Sequence, residues 1–191
     1  NCESKHSVAR AAYTSFMSAP DNVNAPRPAT PVDVPAEVLG NTRLSADYNI
    51  VSLRAPEIAR RALPGQFVMV KPSAGVDPLL RRPFSVFEIL READATPVGI
   101  SLLNKRVGVG TGLLFEARAG DRIECLGPLG RPFVPAEPPT EAWLVAGGVG
   151  IAPFATLADA LGARGTPTTL FYGARREEDL YCSELFERAG V

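Results

Sequence analysis

Between residues 35 and 134 the chain consists of short apolar runs separated by glycine, proline and polar residues. Six of the runs are rich in β-branched or aromatic residues, as is typical of strands. In chain order they are EVLGNTRLS, YNIVSLRAP, PGQFVMVKP, RPFSVFEIL, VGISLLNKR and DRIECLGPL. One helical segment, GTGLLFEARAG, separates the fifth run from the sixth. This pattern predicts a six-stranded antiparallel barrel or sandwich.

The hydrophobic pattern changes after residue 140. WLVAGGVG is a continuous apolar strand that runs into glycines, and IAPFATLADALGARG has the spacing of an amphipathic helix. TTLFYGAR then predicts a second buried strand, and REEDLYCSELFERAG a second helix. A β-α-β-α order of this kind predicts the first part of a doubly wound parallel α/β domain with a right-handed crossover.

The two patterns divide the chain into three regions. Residues 1–33 include the Pro-, Ala- and Asn-rich stretch SAPDNVNAPRPATPVDVP, and we expect a disordered or weakly ordered arm there. Residues 34–136 form the predicted barrel and residues 140–191 the partial α/β domain. A proline-rich stretch near 134–140 joins the two domains.

Composition and charge are those of an ordinary globular protein. Of the 191 residues, 46% are hydrophobic and 21% charged, and the formal net charge is −1, which argues against a nucleic-acid partner. No apolar segment resembles a signal peptide, and the longest uncharged apolar run contains three glycines and a proline, unlike a membrane span. We therefore expect a cytoplasmic protein without a membrane partner. The chain begins with Asn1 and stops at ERAGV, so a truncated chain or fragment is also expected.

The three cysteines, Cys2, Cys125 and Cys182, lie far apart without any C-x-x-C pair. Their spacing predicts no metal site and fits thiols that are buried or incidental. The only histidine, His6, lies in the predicted arm, which makes a catalytic histidine improbable. We expect no catalytic side-chain acid or base.

A glycine-rich loop, GGVGIAP, stands between the first α/β strand and its helix. Its residues Gly147, Gly148 and Gly150 would let a phosphate approach the backbone at a helix N-terminus, and Pro153 suits a first helical turn. The loop lacks the common G-x-G-x-x-G spacing. The pattern predicts dinucleotide binding, and the alternative is a tight βα turn without a ligand.

A second set of residues suggests an anion site on the barrel. Gly110 and Thr111 precede the short helix, with Thr111 as the expected N-cap, although a plain capped helix would look the same. Arg82 and Ser85 could converge with this helix start on one diphosphate, and Phe84 between them could lie against a planar ring. The alternative is a surface ion pair for Arg81 and Arg82, with Phe84 in the core.

The motifs PGQFVMV, LLRRPFSV, VGVGTGLL, GPLGRPF and AGGVGIAP occur in an order and spacing that resemble the ferredoxin-reductase-like flavoproteins. The chain is most similar to the electron-transfer subunits of two-subunit, NAD-linked dihydroorotate dehydrogenases. The resemblance covers about residues 34 to 191. It implies a six-stranded antiparallel Greek-key barrel that binds FAD, followed by the first part of a doubly wound nucleotide-binding domain.

The resemblance also implies site residues, cofactors and partners. Arg82, Pro83, Phe84 and Ser85 would line the flavin and diphosphate of FAD, with further contacts from Leu103, Asn104 and Lys105. Gly110 and Thr111 would bind the diphosphate, and the loop 147–153 would receive NAD as co-substrate. In the family, electrons from dihydroorotate pass through a flavin in a catalytic partner subunit and a [2Fe–2S] cluster to this FAD, and leave as hydride to NAD. Such subunits serve pyrimidine biosynthesis, and the assembly is expected to be a heterotetramer.

The chain departs from the family pattern in two ways. Relatives carry four clustered cysteines in a C-terminal segment, whereas a cluster cannot be built from three scattered thiols. The later strands of the nicotinamide domain are also absent. Two alternatives stay open: a reductase component of another system, of hydrogenase, sulfite reductase or ferredoxin reductase type, and a flavin-binding interaction module without turnover.

Overall fold

The computed structural model describes residues 29–73, 75, 78–135 and 141–191. The barrel region contains two short helices, α1 (Pro56–Ala59) and α2 (Val109–Glu116). Its strands are β1 (Val32–Arg43), β2 (Tyr48–Arg54), β3 (Phe67–Lys71), β4 (Arg82–Ser85), β5 (Glu88–Arg91), β6 (Pro97–Lys105) and β7 (Arg122–Leu129). The α/β region comprises β8 (Ala142–Gly147), a 3₁₀ turn (Gly148–Ile151), α3 (Ala152–Ala163), β9 (Thr168–Gly173), a second 3₁₀ turn (Glu177–Asp179) and α4 (Ser183–Arg188).

The first seven strands form one antiparallel sheet in the order β4-β3-β7-β1-β2-β6-β5. Strands β4 and β5 are consecutive in the chain but lie at opposite edges of this sheet. The chain crosses between the edges at two buried residues: the Val86 N–H donates to Gln66 O (3.0 Å), and the Phe87 N–H donates to Ser101 O (2.9 Å). The sheet therefore curls until its edges meet.

The predicted barrel and the α/β region behind it are confirmed, with one correction to the strand count. The fourth predicted run, RPFSVFEIL, is not one strand, because its backbone changes partner between Ser85 and Glu88. The described sheet thus has seven strands where six were predicted. The alternation of apolar residues did not reveal the break, since Val86 and Phe87 are themselves buried apolar residues.

The barrel core consists of the inward-facing side chains of the sheet together with one side of α2. Val38, Val51, Val68 and Ile100 are completely buried, and Leu114 of α2 packs among them. Because strand side chains alternate between faces, every second residue of β1, β2 and β3 contributes to this core. Helix α2 therefore covers the barrel interior and is fixed to it by its apolar face.

In the α/β region β8 and β9 pair in parallel, from Ala142 with Thr168 to Gly147 with Gly173. A second core packs this region against the outer face of the barrel, where Phe87 and Leu103 meet Ile151 and Ala155. The second predicted helix is shorter than expected, because the chain forms a 3₁₀ turn at Glu177–Asp179 before α4 begins at Ser183.

Most of the predicted N-terminal arm lies outside the described residues, as do residues 136–140 of the predicted proline-rich junction. Strand β1 begins at Val32, two residues before the predicted start of the barrel, and pairs there with Gly127 of β7. Among the described residues, no helix is long and apolar enough to span a bilayer.

Candidate cofactor-binding site

Two predicted site residues from distant parts of the chain lie side by side. Arg82 is the first residue of β4, where it pairs with Val70, and Gly110 lies in the first turn of α2. A Cβ atom on Gly110 would lie 3.4 Å from Arg82 Cγ and 3.7 Å from Arg82 Nε. The absence of a side chain at Gly110 thus leaves room for the Arg82 side chain against the start of the helix.

The start of α2 differs in one respect from the prediction. The N-cap is Gly108, and the expected N-cap, Thr111, is the third residue of the helix. The Thr111 hydroxyl oxygen accepts hydrogen bonds from the N–H groups of Val107 (2.9 Å) and Gly108 (3.0 Å). The helix therefore begins three residues earlier than the threonine suggested, with Gly108 in an extended conformation before it.

The helix start presents backbone donors beside the arginine. The first intrahelical bond joins the Gly112 N–H to Gly108 O (2.8 Å), so the N–H groups of Val109, Gly110 and Thr111 precede the helical ladder. These groups carry the positive end of the helix dipole. Together with the Arg82 guanidinium they form a locally positive surface that suits an anion.

The adjacent arginines have different surroundings. Arg81 binds the carboxylate of Asp33 through both terminal nitrogens (2.8 Å each) and reaches Glu124 at 3.2 Å. The hydrogen bond and the charge of Asp33 raise the pKa of Arg81, so this residue is a structural ion-pair partner. Arg82 instead donates from Nη1 to the carbonyls of Leu80 (2.9 Å) and Arg81 (3.3 Å), which orient its guanidinium. The surface ion pair considered for both arginines therefore applies to Arg81.

The other residues of β4 point in alternate directions. Phe84 lies on the Arg82 face and packs, half-buried, against the barrel core. Pro83 is exposed, and Ser85 lies on the face of β4 opposite Arg82. The structure therefore brings Arg82 and Gly110 together but not Ser85, whose share of the diphosphate stays a prediction.

The three residues predicted from β6 divide into three environments. Leu103 is buried in the core between the barrel and the α/β region. Asn104 is fully buried, and its Nδ2 donates to Asn49 Oδ1 (2.7 Å) and to the carbonyl of Thr111 (3.0 Å). Among the described residues no partner is found for Asn104 Oδ1, a buried acceptor beside the start of α2. Lys105 points towards the α/β region, with its Nζ 4.8 Å from the ring centre of Tyr48.

The predicted dinucleotide loop forms the turn between β8 and α3, as expected. Gly148 has a φ of +53°, a left-handed conformation that favours glycine, and a Cβ there would lie 3.5 Å from the Tyr48 hydroxyl. A Cβ on Gly147 would lie 3.9 Å from Gly173 O, whereas one on Gly150 would have open space around it. Pro153 occupies the first turn of α3. The turn is therefore tight at Gly148 and open at Gly150.

A polar crevice lies in front of this turn, at the carboxyl ends of β8 and β9. It comprises two neighbouring cavities of about 500 and 600 Å³ that share Tyr48, Lys105, Arg175 and Asp179 in their walls. Gly147 and Gly148 line the smaller cavity. In open parallel sheets this edge is where nucleotides bind.

Hydrogen bonds fix the acidic wall of the crevice. Arg176 binds Asp179 through Nε and Nη2 (3.2 Å each), and the Tyr181 hydroxyl donates to Asp179 Oδ1 (3.2 Å). The Arg176 hydrogen bond lowers the pKa of the Asp179 carboxyl. The ring of Tyr181 packs on that of Tyr48, with 4.9 Å between centroids, and so connects the α/β region to the barrel.

Sequence reasoning missed Tyr48 and Arg175 as crevice residues. Arg175 lies two residues after the end of β9, so the rule that ligands bind at the carboxyl ends of parallel strands was the available signal. No comparable signal exists for Tyr48, which belongs to β2, about a hundred positions away in the chain from the turn that it contacts.

The described cysteines lie apart and in different surroundings. Cys125 is completely buried in β7, and burial raises the pKa of its thiol to about 12. Cys182 precedes α4, and partial burial raises the pKa of its thiol to about 11. Cys2 lies outside the described residues. Among the described residues no group of three or more His, Cys, Asp or Glu side chains is placed to hold a metal ion.

Comparisons with known proteins agree with this geometry. Residues 144–190 match the family model of the oxidoreductase NAD-binding domain. The electron transfer subunit of dihydroorotate dehydrogenase B (NAD(+)) from Desulforamulus reducens is 38% identical over 152 residues, which are 79% of this chain and 56% of that protein. The chain spans about half the length of the curated relatives it matches.

Two solved structures show the same fold. An NADH-dependent reduced ferredoxin–NADP oxidoreductase, studied for flavin-based electron bifurcation, superimposes with a TM-score of 0.70 at 28% identity, over 82% of this chain and 54% of that one. The ferredoxin reductase of carbazole 1,9a-dioxygenase gives a TM-score of 0.72 at 26% identity, over 84% of this chain and 48% of that one. The resemblance expected from the motifs is confirmed: the chain has the ferredoxin-reductase-like fold and is homologous to electron transfer subunits of dihydroorotate dehydrogenase B.

Proposed function

We propose that this chain is the FAD-binding, electron-transferring part of an NAD-linked flavoprotein oxidoreductase. The barrel holds FAD, and the crevice at β8 and β9 receives NAD. The observation that carries the proposal is the placement of Arg82 against Gly110, which puts a guanidinium beside the backbone N–H groups that begin α2. Two phosphate groups of one dinucleotide match that combination of donors.

The residues at the start of α2 fit the diphosphate of FAD. Arginine binds phosphate through charge-assisted hydrogen bonds, and the backbone carbonyls of Leu80 and Arg81 hold the Arg82 guanidinium in place for this role. The N–H groups of Val109 and Gly110 would bind phosphate oxygens from the other side. Asn104 Oδ1, buried without a partner among the described residues, offers an acceptor to a cofactor N–H or O–H group.

The crevice fits the second dinucleotide. Its positive side chains, Lys105 and Arg175, face the turn at Gly147 and Gly148, so a phosphate at the turn meets both backbone donors and cations. Lys105 belongs to the barrel and Arg175 to the α/β region. A dinucleotide in the crevice would therefore contact both regions and lie close to the residues proposed for FAD.

FAD would supply the redox chemistry, because a flavin accepts a hydride from a reduced nicotinamide and can release the electrons singly. The chain's own residues bind and orient the two cofactors. The shared core of Phe87, Leu103 and Ile151 fixes the α/β region against the barrel and so sets the distance between the two binding sites. No side chain of the chain is assigned as an acid or base.

The relatives' names support a proposal for the partner. We propose that the chain exchanges electrons with a flavin-containing catalytic subunit that oxidises dihydroorotate in pyrimidine biosynthesis, in a heterotetramer. A [2Fe–2S] cluster does not fit the cysteines of these 191 residues, since three thiols at distant positions cannot replace the four ligands that such a cluster needs. No step is assigned to a cluster on this chain.

A second candidate function is supported by the structural neighbours, which are ferredoxin reductases. In that case the same FAD and NAD sites would serve a ferredoxin or another redox carrier instead of a dihydroorotate-oxidising subunit. The two candidate functions are distinguished by the redox partner that supports turnover of the holoprotein: dihydroorotate together with its dehydrogenase, or reduced ferredoxin.

The test compares the two adjacent arginines. Arg82→Ala should weaken FAD binding by about ten- to a hundredfold, the effect of losing a charge-assisted hydrogen bond of about 1.5–3 kcal/mol. Arg81→Ala is the matched control, because it removes the Asp33 ion pair and should lower thermal stability while FAD affinity stays within about twofold. Titration of apoprotein with FAD measures both. Equal FAD affinity of Arg82→Ala and wild type would refute the placement.

A further inference from the structure

Three asparagine side chains form a continuous hydrogen-bonded chain beneath helix α2. Asn104 Nδ2 donates to Asn49 Oδ1 (2.7 Å), and Asn49 Nδ2 donates to Asn41 Oδ1 (2.7 Å). Asn41 Nδ2 then donates to the carbonyls of Ala117 (2.8 Å) and Phe115 (3.0 Å) at the end of the helix. The three residues stand on β6, β2 and β1, which are neighbours in the sheet. We refer to them as the asparagine relay.

The relay binds the helix at several points along its length. Asn104 Nδ2 donates to the carbonyl of Thr111 in the first turn. Asn49 Nδ2 and Asn41 Nδ2 both donate to the carbonyl of Leu114, each at 3.3 Å. Carbonyls in the last turn of a helix have no intrahelical partner, and donors there also interact favourably with the helix dipole. The sheet therefore supplies the C-terminal cap of α2 and fixes the position of its first turn.

The direction of the relay is determined by the helix. Each Nδ2 must face a carbonyl of α2, so each amide can adopt only one orientation. The Oδ1 atoms of Asn49 and Asn41 then accept from the Nδ2 groups of Asn104 and Asn49. Only the first acceptor, Asn104 Oδ1, has no partner among the described residues. The relay thus ends in a buried acceptor on the side of α2 where the cofactor contacts are proposed.

We propose that Asn49 and Asn41 are positioning residues for the FAD diphosphate site, acting through α2 and Asn104 rather than by touching the cofactor. The inference rests on the function proposed above. Backbone donors bind an anion well only when they are held in place before it arrives, within about half an ångström of the final geometry. Because the relay sets where Val109, Gly110 and Thr111 lie relative to Arg82, loosening it separates the two halves of the site.

The experiment uses three amide-to-leucine variants of the same 191-residue chain. Asn49→Leu interrupts the relay at its buried centre, and Asn41→Leu removes its half-buried last member, a milder change if the first variant fails to fold. Gln66→Leu is the matched control: it removes two hydrogen bonds of a fully buried amide, but their partners are Leu63 and Gly130 instead of α2.

Two measurements are made on each apoprotein: hydrogen exchange of the α2 amides, and FAD affinity by titration well below the melting temperature. We expect faster exchange in residues 109–116 and about tenfold weaker FAD binding in both relay variants. The control should lose comparable thermal stability and keep its FAD affinity within about twofold. If the relay had only a structural role, variants of similar stability would have similar FAD affinity. A loss of FAD affinity in the relay variants alone therefore indicates a positioning role.

Three results would overturn the proposal. The first is unchanged exchange in α2 of the relay variants. The second is faster exchange with FAD affinity equal to wild type. The third is an equal loss of FAD affinity in the Gln66→Leu control. If the wild-type chain itself binds no FAD, the proposed function fails and this inference with it, whereas a failure confined to the relay variants leaves the FAD site in place.

Discussion

Replacement of Gly110 by alanine should stabilise the protein and weaken its FAD site at the same time. The new Cβ would lie 3.4 Å from Arg82 Cγ and 3.8 Å from Pro72 Cγ, which are ordinary van der Waals distances. Gly110 lies within α2, where alanine is favoured over glycine by about 0.5–1 kcal/mol. The free protein should therefore become more stable by up to that amount.

The same methyl group interferes with the cofactor. It would lie 3.7 Å from Arg82 Nε, whereas a phosphate oxygen bound to that nitrogen requires a distance of about 2.7–2.9 Å. We expect the methyl group to crowd an oxygen shared between Arg82 and the helix N–H groups, because that oxygen would have to lie on the same side of the helix start as the methyl carbon. Loss of one charge-assisted hydrogen bond, about 1.5–3 kcal/mol, predicts an increase in the FAD dissociation constant of about ten- to a hundredfold.

Gly112→Ala is the matched control. It lies two residues further along α2, and a Cβ there meets no atom within 4 Å. It should give a similar gain in stability without a change in FAD affinity. Thermal unfolding and FAD titration of both variants provide the assay. Equal FAD affinity of the two variants would show that the gap between Arg82 and Gly110 does not hold the diphosphate.

Three further predictions concern the rest of the molecule. A Cβ on Gly150 has open space around it, so Gly150→Ala should leave the fold and FAD binding unchanged and weaken NADH binding about tenfold, since the methyl group would occupy that space. Gly148→Ala, at φ +53°, should also destabilise the fold by about 1–2 kcal/mol. NADH and FAD titrations test both variants, and loss of FAD from Gly150→Ala would contradict the assignment. Burial raises the pKa of the Cys125 thiol to about 12, so a disulfide reagent at pH 8 should label this thiol only after the protein is unfolded in urea. Rapid labelling of the native protein would contradict the buried position of Cys125. The Arg176 hydrogen bond lowers the pKa of Asp179, so this bond contributes its full stability above the ordinary carboxyl pKa of 3.8 and loses it as the pH falls through the lowered pKa. The difference in melting temperature between wild type and Asp179→Asn should therefore be constant above pH 3.8, shrink below it, and disappear once the pH is below the lowered pKa; a difference that does not change with pH would contradict the ion pair.

The architecture and part of the site could be predicted from the sequence because they depend on local patterns. Strand alternation and the glycine-rich turn are each encoded within about ten residues, and the β-α-β order follows from three such local patterns in succession. Arg82 was expected to converge with the start of α2 on a diphosphate, and the structure places Arg82 beside Gly110 there, although Ser85 of the same expectation points to the other face. The N-cap was wrong by three residues, because the Gly108 backbone could extend and Thr111 could reach back from inside the helix.

The asparagine relay could not be predicted. Asn41 lies 73 to 76 positions from the carbonyls that it binds, and Asn104 lies 55 positions from Asn49. An isolated asparagine in a strand predicts an exposed or turn position, so burial of these polar residues conflicts with their local preference. Only the register of β1, β2 and β6 over α2 turns three separate polar residues into one hydrogen-bonded chain. The bend at Val86–Phe87 was missed for a related reason: it depends on which strand pairs with each half of the run.

We propose above all that the barrel binds FAD beside Arg82 and the start of α2. The most direct measurement is the stoichiometry of FAD binding to the purified apoprotein, by calorimetric titration with the visible flavin spectrum recorded at each step. We expect saturation at one FAD per chain, with a shifted flavin spectrum and a dissociation constant that rises in Arg82→Ala. A titration of the folded wild-type chain without heat or spectral change would contradict it.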